Sequence, residues 1–208
     1  MNEYRIGQVR EALLKTASVM KEQKDLLTEI DSKNGDGDLG ISMEKGGAAI
    51  ETTVEAFGSS EDIGALLSQC GAAFNRAAPS TLGTLIGMSF MFVGKEWAGK
   101  DALSDRDIVS MPGIVVGTIS RMGKSNPGDK TILDALDPFA RTLAEEYQNS
   151  PDLAEAWKKA ADEARNGMEA TKSMKAKVGR ARWLGDRATG VPDGGAMLCS
   201  RVIDAFIM

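Results

Sequence analysis

The sequence predicts an all-α protein that forms a single domain over residues 1–208. Apolar residues recur at helical spacing along most of the chain, and no segment shows the sustained alternation that predicts a strand. The 23 glycines concentrate between the predicted helices, where they permit turns and close approach of the backbone to a ligand. Without an internal repeat or a break in composition, one helical bundle is the simplest architecture.

Helical periodicity is clear in the first half of the chain. The predicted helices cover residues 5–25, a segment starting near Ser42 and a segment starting at Ser60. Ser104 followed by Asp107 resembles a capping box at the start of a further helix. Pro112 falls inside that helix and could break or kink it.

The second half contains three more predicted helices. The first covers Thr131 to Tyr147. Ser150 and Pro151 have the pattern of an N-cap followed by proline at the first helical position, which predicts a helix that runs to Met168. Apolar residues from Leu198 to Phe206 predict the last one.

The composition excludes several classes of function. The 25 basic and 30 acidic residues give a net charge of -5. Sequence-independent binding to nucleic acid needs clustered surplus cations, so it is not expected. No apolar run approaches the ~20 residues of a membrane span. The N-terminal residues lack the apolar core of a signal peptide, and we therefore expect a cytoplasmic protein.

The absence of histidine restricts the chemistry further. With no His and two Cys, imidazole-based triads, His-ligated zinc and an imidazole phosphocarrier are excluded. Cys70 and Cys199 lie among apolar residues without a CxxC pattern, which predicts two buried thiols. Any chemistry must come from carboxylates, amines, guanidinium groups, hydroxyls, the backbone and a bound ion.

An acidic glycine-rich segment is the most informative part of the sequence. Asp31, Asp36 and Asp38 lie within eight positions and are separated by small residues. Carboxylates this close repel one another unless a cation lies between them, and oxygen ligands suit Mg²⁺ or Ca²⁺. The alternative is a solvated acidic turn. The segment leads into the helix predicted near Ser42, whose N-terminal amides would favour an anion.

Known ion and phosphate motifs do not fit this segment. An EF-hand register that starts at Asn34 places Leu39 where glycine is required and Lys45 where the bidentate glutamate is required. The sequence contains no P-loop pattern, and the glycines do not follow a predicted strand as in a dinucleotide fold. If the segment binds an ion, phosphate is its natural partner, because Mg²⁺ commonly links one or two carboxylates to substrate phosphates.

Four motifs resemble those of one family, the nucleotide-binding L subunit (DhaL) of bacterial dihydroxyacetone kinases, also found as the C-terminal domain of single-chain ATP-dependent forms. In this chain the motifs are Asp31 to Gly40, Pro79 to Gly87, Pro127 to Leu136 and Gly179 to Ala196. They follow the family's order and extend over nearly the whole sequence. Two departures are visible: Leu39 stands where the family usually has His, and Pro79 to Leu82 replaces Gly-Gly-Ala-Ser.

The resemblance implies an antiparallel barrel of eight amphipathic helices with a nucleotide at one rim. It implies that Asp31, Asp36 and Asp38 hold Mg²⁺ against the phosphates of ADP or ATP and, with Arg180, form the catalytic set. The implied nucleotide contacts are Leu39, Gly40, Ile41, Ser42, Thr81, Leu82, Gly123, Ile132, Arg180, Asp193, Gly194 and Gly195. Lys130 and Arg180 are candidates to stabilise the transferred phosphoryl group. The alternative for Lys130 is a solvated lysine, and the alternative for Arg180 is a basic surface cluster. For Trp183, core packing is favoured over a place near the site.

The family resemblance also implies a reaction and partners. A phosphoryl group would pass to a small ketose. A histidine of a separate K-type subunit would hold this ketose covalently, since this chain contains no histidine. Free ATP or a phosphocarrier subunit would supply the phosphoryl group, and a homodimer is allowed. The alternatives are a non-catalytic nucleotide-binding regulatory module and a purely structural helical protein.

Overall fold

The computed structural model describes residues 2–179, 182–183 and 189–207. Within these ranges it contains nine α-helices, a short 3₁₀ turn and two strands of three residues each, which confirms the predicted all-α class. The helices are α1 (Ile6–Glu22), α2 (Lys24–Asn34), α3 (Leu39–Ala56), α4 (Ile63–Ala77), α5 (Thr81–Glu96), α6 (Asp105–Gly123), α7 (Leu133–Asn149), α8 (Leu153–Ala170) and α9 (Gly194–Asp204). The strands are β1 (Glu3–Arg5) and β2 (Ala102–Ser104), and the 3₁₀ turn is Thr171–Ser173.

The chain separates into two compact units. The first unit comprises Met1–Glu22 and Ser42–Gly123, and the second comprises Gln23–Ile41 and Lys124–Met208. A single domain over the whole chain remains a prediction. In the described part of the chain, no helix combines the length and the apolarity that a bilayer crossing requires.

In the first unit, α4 and α5 pack closely against each other. A methyl group added to Gly71 of α4 would lie 2.5 Å from the carbonyl oxygen of Gly87 on α5. Ile63, Leu66 and Phe74 of α4 are completely buried. Small residues at the contact therefore let the two backbones approach while larger apolar side chains fill the core around them.

The two strands correct the expectation that the chain forms none. They pair antiparallel, with Tyr4 opposite Leu103, and each is too short to show an alternating pattern. The hydroxyl of Tyr4 donates to Asp105 Oδ1 at 2.9 Å, and the amide of Asn2 donates to Asp105 Oδ2 at 3.2 Å. The pair thus attaches the N-terminal segment to the first residue of α6.

The start of α6 has the predicted capping box. The amide and hydroxyl of Ser104 each donate to Asp107 Oδ2 at 2.8 Å, and the Asp107 amide donates back to the Ser104 hydroxyl at 3.3 Å. Pro112 lies inside α6, and the helix continues through it to Gly123. Of the two outcomes expected at Pro112, a break or a kink, the break is therefore wrong.

In the second unit, α7, α8 and α9 pack together. The rings of Phe139 on α7 and Trp157 on α8 meet edge to face at 4.9 Å, and Trp157 Nε1 donates to the Ile203 carbonyl of α9 at 3.1 Å. The N-cap of α8 is Asp152, which accepts from the Glu155 amide at 3.1 Å. The prediction of Ser150 as this cap is wrong because Ser150 ends α7, where its amide bonds to a carbonyl of that helix.

Candidate magnesium and nucleotide site

The three predicted aspartates meet at the junction of α2 and α3 in the second unit. Asp31 lies in the last turn of α2, and Asp36 and Asp38 lie in the connection to α3. One carboxylate oxygen of each residue lies within 4.8 Å of the others, and Asp31 is half-buried whereas Asp36 and Asp38 are exposed. The structure thus brings together the residues that the sequence predicts as metal ligands.

Glycines allow this connection to fold so tightly. Gly37 has a φ of +76°, a left-handed conformation that is unfavourable for residues with a Cβ. A Cβ on Gly40 would overlap the carbonyl oxygen of Lys24 and the hydroxyl of Thr28, both on α2. Only glycine at position 40 lets the first turn of α3 lie against α2, and this contact brings the loop carboxylates back toward Asp31.

Helix α3 begins at Leu39, three residues before the predicted start at Ser42. The Leu39 amide donates to Asp31 Oδ2 at 3.2 Å, so a carboxylate from the preceding helix caps α3. Leu39, Gly40, Ile41 and Ser42, the predicted phosphate-contacting residues, form the first turn of α3. Helix N-termini carry partial positive charge and unpaired amides, which favour anions.

The arrangement fits a divalent cation on its own chemistry. Three hard oxygen ligands gathered within 4.8 Å match the preference of Mg²⁺ for carboxylates. A cation between them would also offset their mutual repulsion. The exposure of Asp36 and Asp38 leaves room for phosphate oxygens and waters in the remaining coordination positions.

The first unit has an open cavity of about 430 Å³. Its lining residues are Asn75, Pro79, Ser80, Thr81, Thr84, Leu85, Met122 and Gly123. Thr81 and Gly123, two predicted nucleotide contacts, therefore line one cavity, whereas Leu82 does not. The Ser80 hydroxyl caps α5 by accepting from the Gly83 amide at 3.0 Å, which fixes the rim of the cavity at the start of that helix.

Asn75 also lines this cavity, although it is not among the nucleotide contacts predicted from the sequence. Its Oδ1 atom is buried without a hydrogen-bond partner among the described residues, and it packs against the backbone of Gly87 on α5. An asparagine within a helix carries no local signal of such a position, because the contact depends on how α4 and α5 pack.

A further predicted cluster of nucleotide contacts lies at the start of α9 in the second unit. Asp193 caps this helix by accepting from the Ala196 amide at 2.8 Å, and Gly194 and Gly195 form its first turn. The pKa of Asp193 is raised to about 6, mainly by loss of hydration and also by the Asp134 carboxylate, while the helix amides and Lys130 oppose this rise. Ile132, also predicted, is buried just before α7.

The burial of Lys130 contradicts one of its two predicted interpretations. It is 4% exposed, so it is not a solvated lysine. Its Nζ donates to the carbonyl oxygens of Val191 at 2.8 Å and Met174 at 3.3 Å, and its ammonium is therefore engaged with the backbone. Desolvation lowers the pKa of Lys130, although the charge of Asp193 opposes this shift.

Arg180, the remaining predicted contact, lies outside the described residues. Nearby, the side chain of Trp183 is 75% exposed, and the Arg182 guanidinium lies 4.4 Å from its ring centroid. The predicted core packing of Trp183 is therefore wrong. Trp183 lies in a glycine- and arginine-rich segment without helical periodicity, so the sequence pattern does not predict its exposure.

The fold is that of the helical domain of a dihydroxyacetone kinase. The crystal structure of the enzyme from C. freundii in complex with AMP-PNP and Mg²⁺ superposes with a TM-score of 0.74 over 100% of this chain and 34% of that chain, at 20% identity. The model of the DAK2 domain matches residues 33–208. The chain therefore belongs to the DAK2 domain family, which contains the DhaL subunits.

Relatives of two lengths are similar to this chain. It is 33% identical over 180 residues to an L-erythrulose kinase of Pectobacterium atrosepticum, covering 86% of this chain and 30% of that protein. It is 31% identical over 180 residues to the ADP-binding subunit DhaL of a PEP-dependent dihydroxyacetone kinase of Listeria innocua, covering 86% and 83%. The chain thus spans about a third of the length of the erythrulose kinases that it matches.

Proposed function

We propose that this chain is the Mg²⁺–nucleotide-binding unit of a ketose kinase. In this proposal ADP or ATP binds through a magnesium ion held by Asp31, Asp36 and Asp38, and a phosphoryl group passes to a small ketose. The observation that carries the proposal is the gathering of these three carboxylates at the N-terminus of α3. A similar structure was obtained with AMP-PNP and Mg²⁺, which supports the choice of ligand.

Each residue of the site has a separate task in this mechanism. Magnesium, when bound, would neutralise charge on the phosphate oxygens during transfer. The three carboxylates would fix the position of the polyphosphate, and Asp31 would also hold the first turn of α3 through the Leu39 amide. The amides of that turn would contact phosphate oxygens.

The other nucleotide contacts belong to the same proposal. Thr81, Leu82, Gly123 and Ile132 would contact the base and its surroundings, and Arg180 would contact a phosphate or the ribose. Asp193, Gly194 and Gly195 would contact the nucleotide from the start of α9. The cavity that Thr81 and Gly123 line and the position of the two glycines in the first turn of α9 support these assignments.

The acceptor and the partners are inferred from relatives. Similar proteins are named as an L-erythrulose kinase and as the ADP-binding subunit of a PEP-dependent dihydroxyacetone kinase, so a ketose of three or four carbons is the proposed substrate. The 208 residues contain no histidine. Covalent capture of the ketone by an imidazole would therefore fall to a K-type subunit or domain, with free ATP or a phosphocarrier subunit as the phosphoryl source. The expected cytoplasmic location belongs to this proposal.

Calorimetry of ADP binding with and without Mg²⁺ tests the nucleotide site. We expect Mg²⁺ to raise the affinity of the wild type by at least about tenfold and to have no such effect on Asp36→Ala, because one metal ligand is missing. Asp25→Ala, which removes an exposed carboxylate from the first turn of α2, is the matched control. Circular dichroism checks the fold, and equal Mg²⁺ dependence in wild type and Asp36→Ala would reject the metal bridge.

A non-catalytic regulatory module is the second candidate. It is favoured by Leu39, whose side chain packs against Gly194 of α9 at a position where the family usually has histidine. Mixing the chain with a K-type subunit, dihydroxyacetone or erythrulose, and ATP or a phosphorylated carrier subunit separates the two candidates. Formation of a sugar phosphate supports the kinase, and failure with every ketose and both donors supports the module.

A further inference from the structure

Lys130 occupies an unusual backbone position in the second unit. Its φ is +60°, a left-handed conformation that is unfavourable for a residue with a side chain. The residue is also buried, which is rare for lysine unless its charge is compensated. Local sequence preference therefore does not explain why a lysine stands here.

The ammonium of Lys130 joins two distant parts of the chain. It donates to the carbonyl oxygens of Met174 and Val191, which lie 44 and 61 residues further along the sequence. The preceding residue reinforces the first of these contacts. The Asp129 carbonyl accepts from the Lys177 amide at 3.1 Å, and the Asp129 carboxylate pairs with Lys177 Nζ at 3.2 Å.

The same connection leads to the start of α9. Val191 lies two residues before Asp193, the N-cap of that helix, and Asp193 is a charged partner of Lys130. The amide of Asp193 donates to the buried hydroxyl of Thr171 at 2.9 Å. Asp193 is thus held directly by Thr171 and, two residues earlier in the chain, by the bond between Lys130 and Val191.

Asp134 keeps the Lys130 loop in place. Its carboxylate is buried and accepts from the amides of Gly128 and Thr131, which flank the Asp129–Lys130 pair. A carboxylate that accepts two amide bonds is a strong local constraint. The loop is therefore a fixed support from which the Lys130 side chain reaches the backbone at Met174 and Val191.

We propose that Lys130 is a positioning residue, which holds the backbone at Met174 and Val191 and thereby sets Asp193, Gly194 and Gly195 for contact with the nucleotide. The role in nucleotide binding rests on the proposed function. The hydrogen bonds by which Lys130 joins the backbone at Met174 to that at Val191 do not depend on it. Lys130 acts through the backbone and not by contact with phosphate. Removing its ammonium leaves the carbonyl groups of Met174 and Val191 without this donor.

The test compares Lys130→Met, which keeps the apolar stem, with Lys130→Gly, which also relieves the left-handed backbone. Lys158→Met, an exposed position on α8, is the control for charge and for loss of a trypsin site. Limited trypsin digestion, followed by mass spectrometry, reports cleavage after Lys175 and Lys177. We expect cleavage about tenfold faster in both Lys130 variants, as loss of a buried charged hydrogen bond suggests, and unchanged in the control.

Two binding measurements separate positioning from general damage. ADP affinity in Mg²⁺ is expected to fall about tenfold in both Lys130 variants. The affinity for Mn²⁺ alone, measured by electron paramagnetic resonance, is expected to stay within about twofold, because the two carbonyl groups to which Lys130 donates belong to Met174 and Val191, outside the α2–α3 junction. Parallel loss of Mn²⁺ and ADP binding would indicate general damage and overturn the proposal.

The outcomes distinguish this proposal from the proposed function. If the wild type binds ADP and both Lys130 variants match it in cleavage rate and affinity, Lys130 has no positioning role although the nucleotide site stands. If the wild type itself binds no ADP, the proposed function fails. Faster cleavage in the variants would then support only the connection of Met174 to Val191, and the role toward the nucleotide would be rejected.

Discussion

The amide of Leu39 donates a hydrogen bond to Oδ2 of Asp31, eight residues earlier in the chain, at 3.2 Å. One carboxylate therefore caps α3 and also stands within 4.8 Å of the oxygens of Asp36 and Asp38. The helix start and the proposed metal site are built from the same side chain. Changes at Asp31 should accordingly divide into effects on stability and effects on ligand binding.

Two substitutions of Asp31 separate these effects. Asp31→Asn keeps an acceptor for the Leu39 amide, so we expect its free energy of unfolding to stay within about 0.5 kcal/mol of the wild type, whereas Asp31→Ala should lose about 1 kcal/mol. Both should lose the Mg²⁺-dependent part of ADP affinity, since neither supplies a charged ligand. Urea unfolding and calorimetry give the two quantities, and an asparagine variant with undiminished Mg²⁺ dependence would contradict the assignment of Asp31 as a ligand.

Gly35 tests the geometry of the junction without removing a carboxylate. A Cβ at this position would lie 2.5 Å from Asp31 Oδ1, so Gly35→Ala must displace that side chain. We expect the Mg²⁺-dependent affinity for ADP to fall about tenfold, which corresponds to roughly 1.4 kcal/mol. Gly7→Ala is the control, because a Cβ on Gly7 of α1 meets no atom within 4 Å; if both variants bind alike, the position of Asp31 is not critical.

Asp193 should make stability depend on pH. Burial raises its pKa to about 6 from the ordinary value of 3.8, so the folded state binds the proton more tightly than the unfolded state. Stability therefore decreases as pH rises between about 4 and 6, and Asp193→Asn should remove this loss because Asn also caps helices. We expect the variant to gain about 1–2 kcal/mol relative to the wild type between pH 4.5 and pH 7.5.

Urea unfolding at the two pH values measures this gain. Asp152→Asn, at the exposed N-cap of α8, controls for the exchange of a capping carboxylate for an amide. If the difference between Asp193→Asn and the wild type is the same at both pH values, the burial of an ionisable Asp193 is contradicted.

The two cysteines should be unreactive in the folded protein. Both are free and buried, as the sequence predicts, and burial raises the pKa of each thiol to about 12. At pH 8 only about one thiol in 10⁴ would be ionised, so reaction with DTNB should take hours and become rapid in guanidinium chloride. Thr52→Cys, at an exposed position on α3, provides a reactive control, and a wild-type thiol that reacts as fast would show that the core opens readily.

Local features of the fold and the site could be predicted from the sequence. The helices follow from apolar periodicity, and the cluster of Asp31, Asp36 and Asp38 follows from three carboxylates separated by glycines. The capping box of Ser104 and Asp107 is also local, since both residues belong to one turn. The three aspartates lie within eight positions of one another in the sequence, and Ser104 and Asp107 lie within four.

Features that depend on distant contacts could not be predicted. The Leu39 amide at the start of α3 bonds to a carboxylate from α2, a partner that belongs to another helix. The partners of Lys130 lie 44 and 61 residues away, so its burial becomes visible only when the fold brings them together. Strands β1 and β2 form because Tyr4 and Leu103 meet, although neither strand has a pattern of its own.

The central claim is that Asp31, Asp36 and Asp38 hold a divalent ion that anchors the phosphates of a nucleotide. A crystal grown with Mn²⁺ and ADP tests it most directly, because the anomalous signal of manganese locates the metal independently of the protein atoms. We predict a manganese peak bonded to at least two of these carboxylates and to an ADP phosphate oxygen. A peak elsewhere, or ADP bound with its phosphates away from these three residues, would contradict the account.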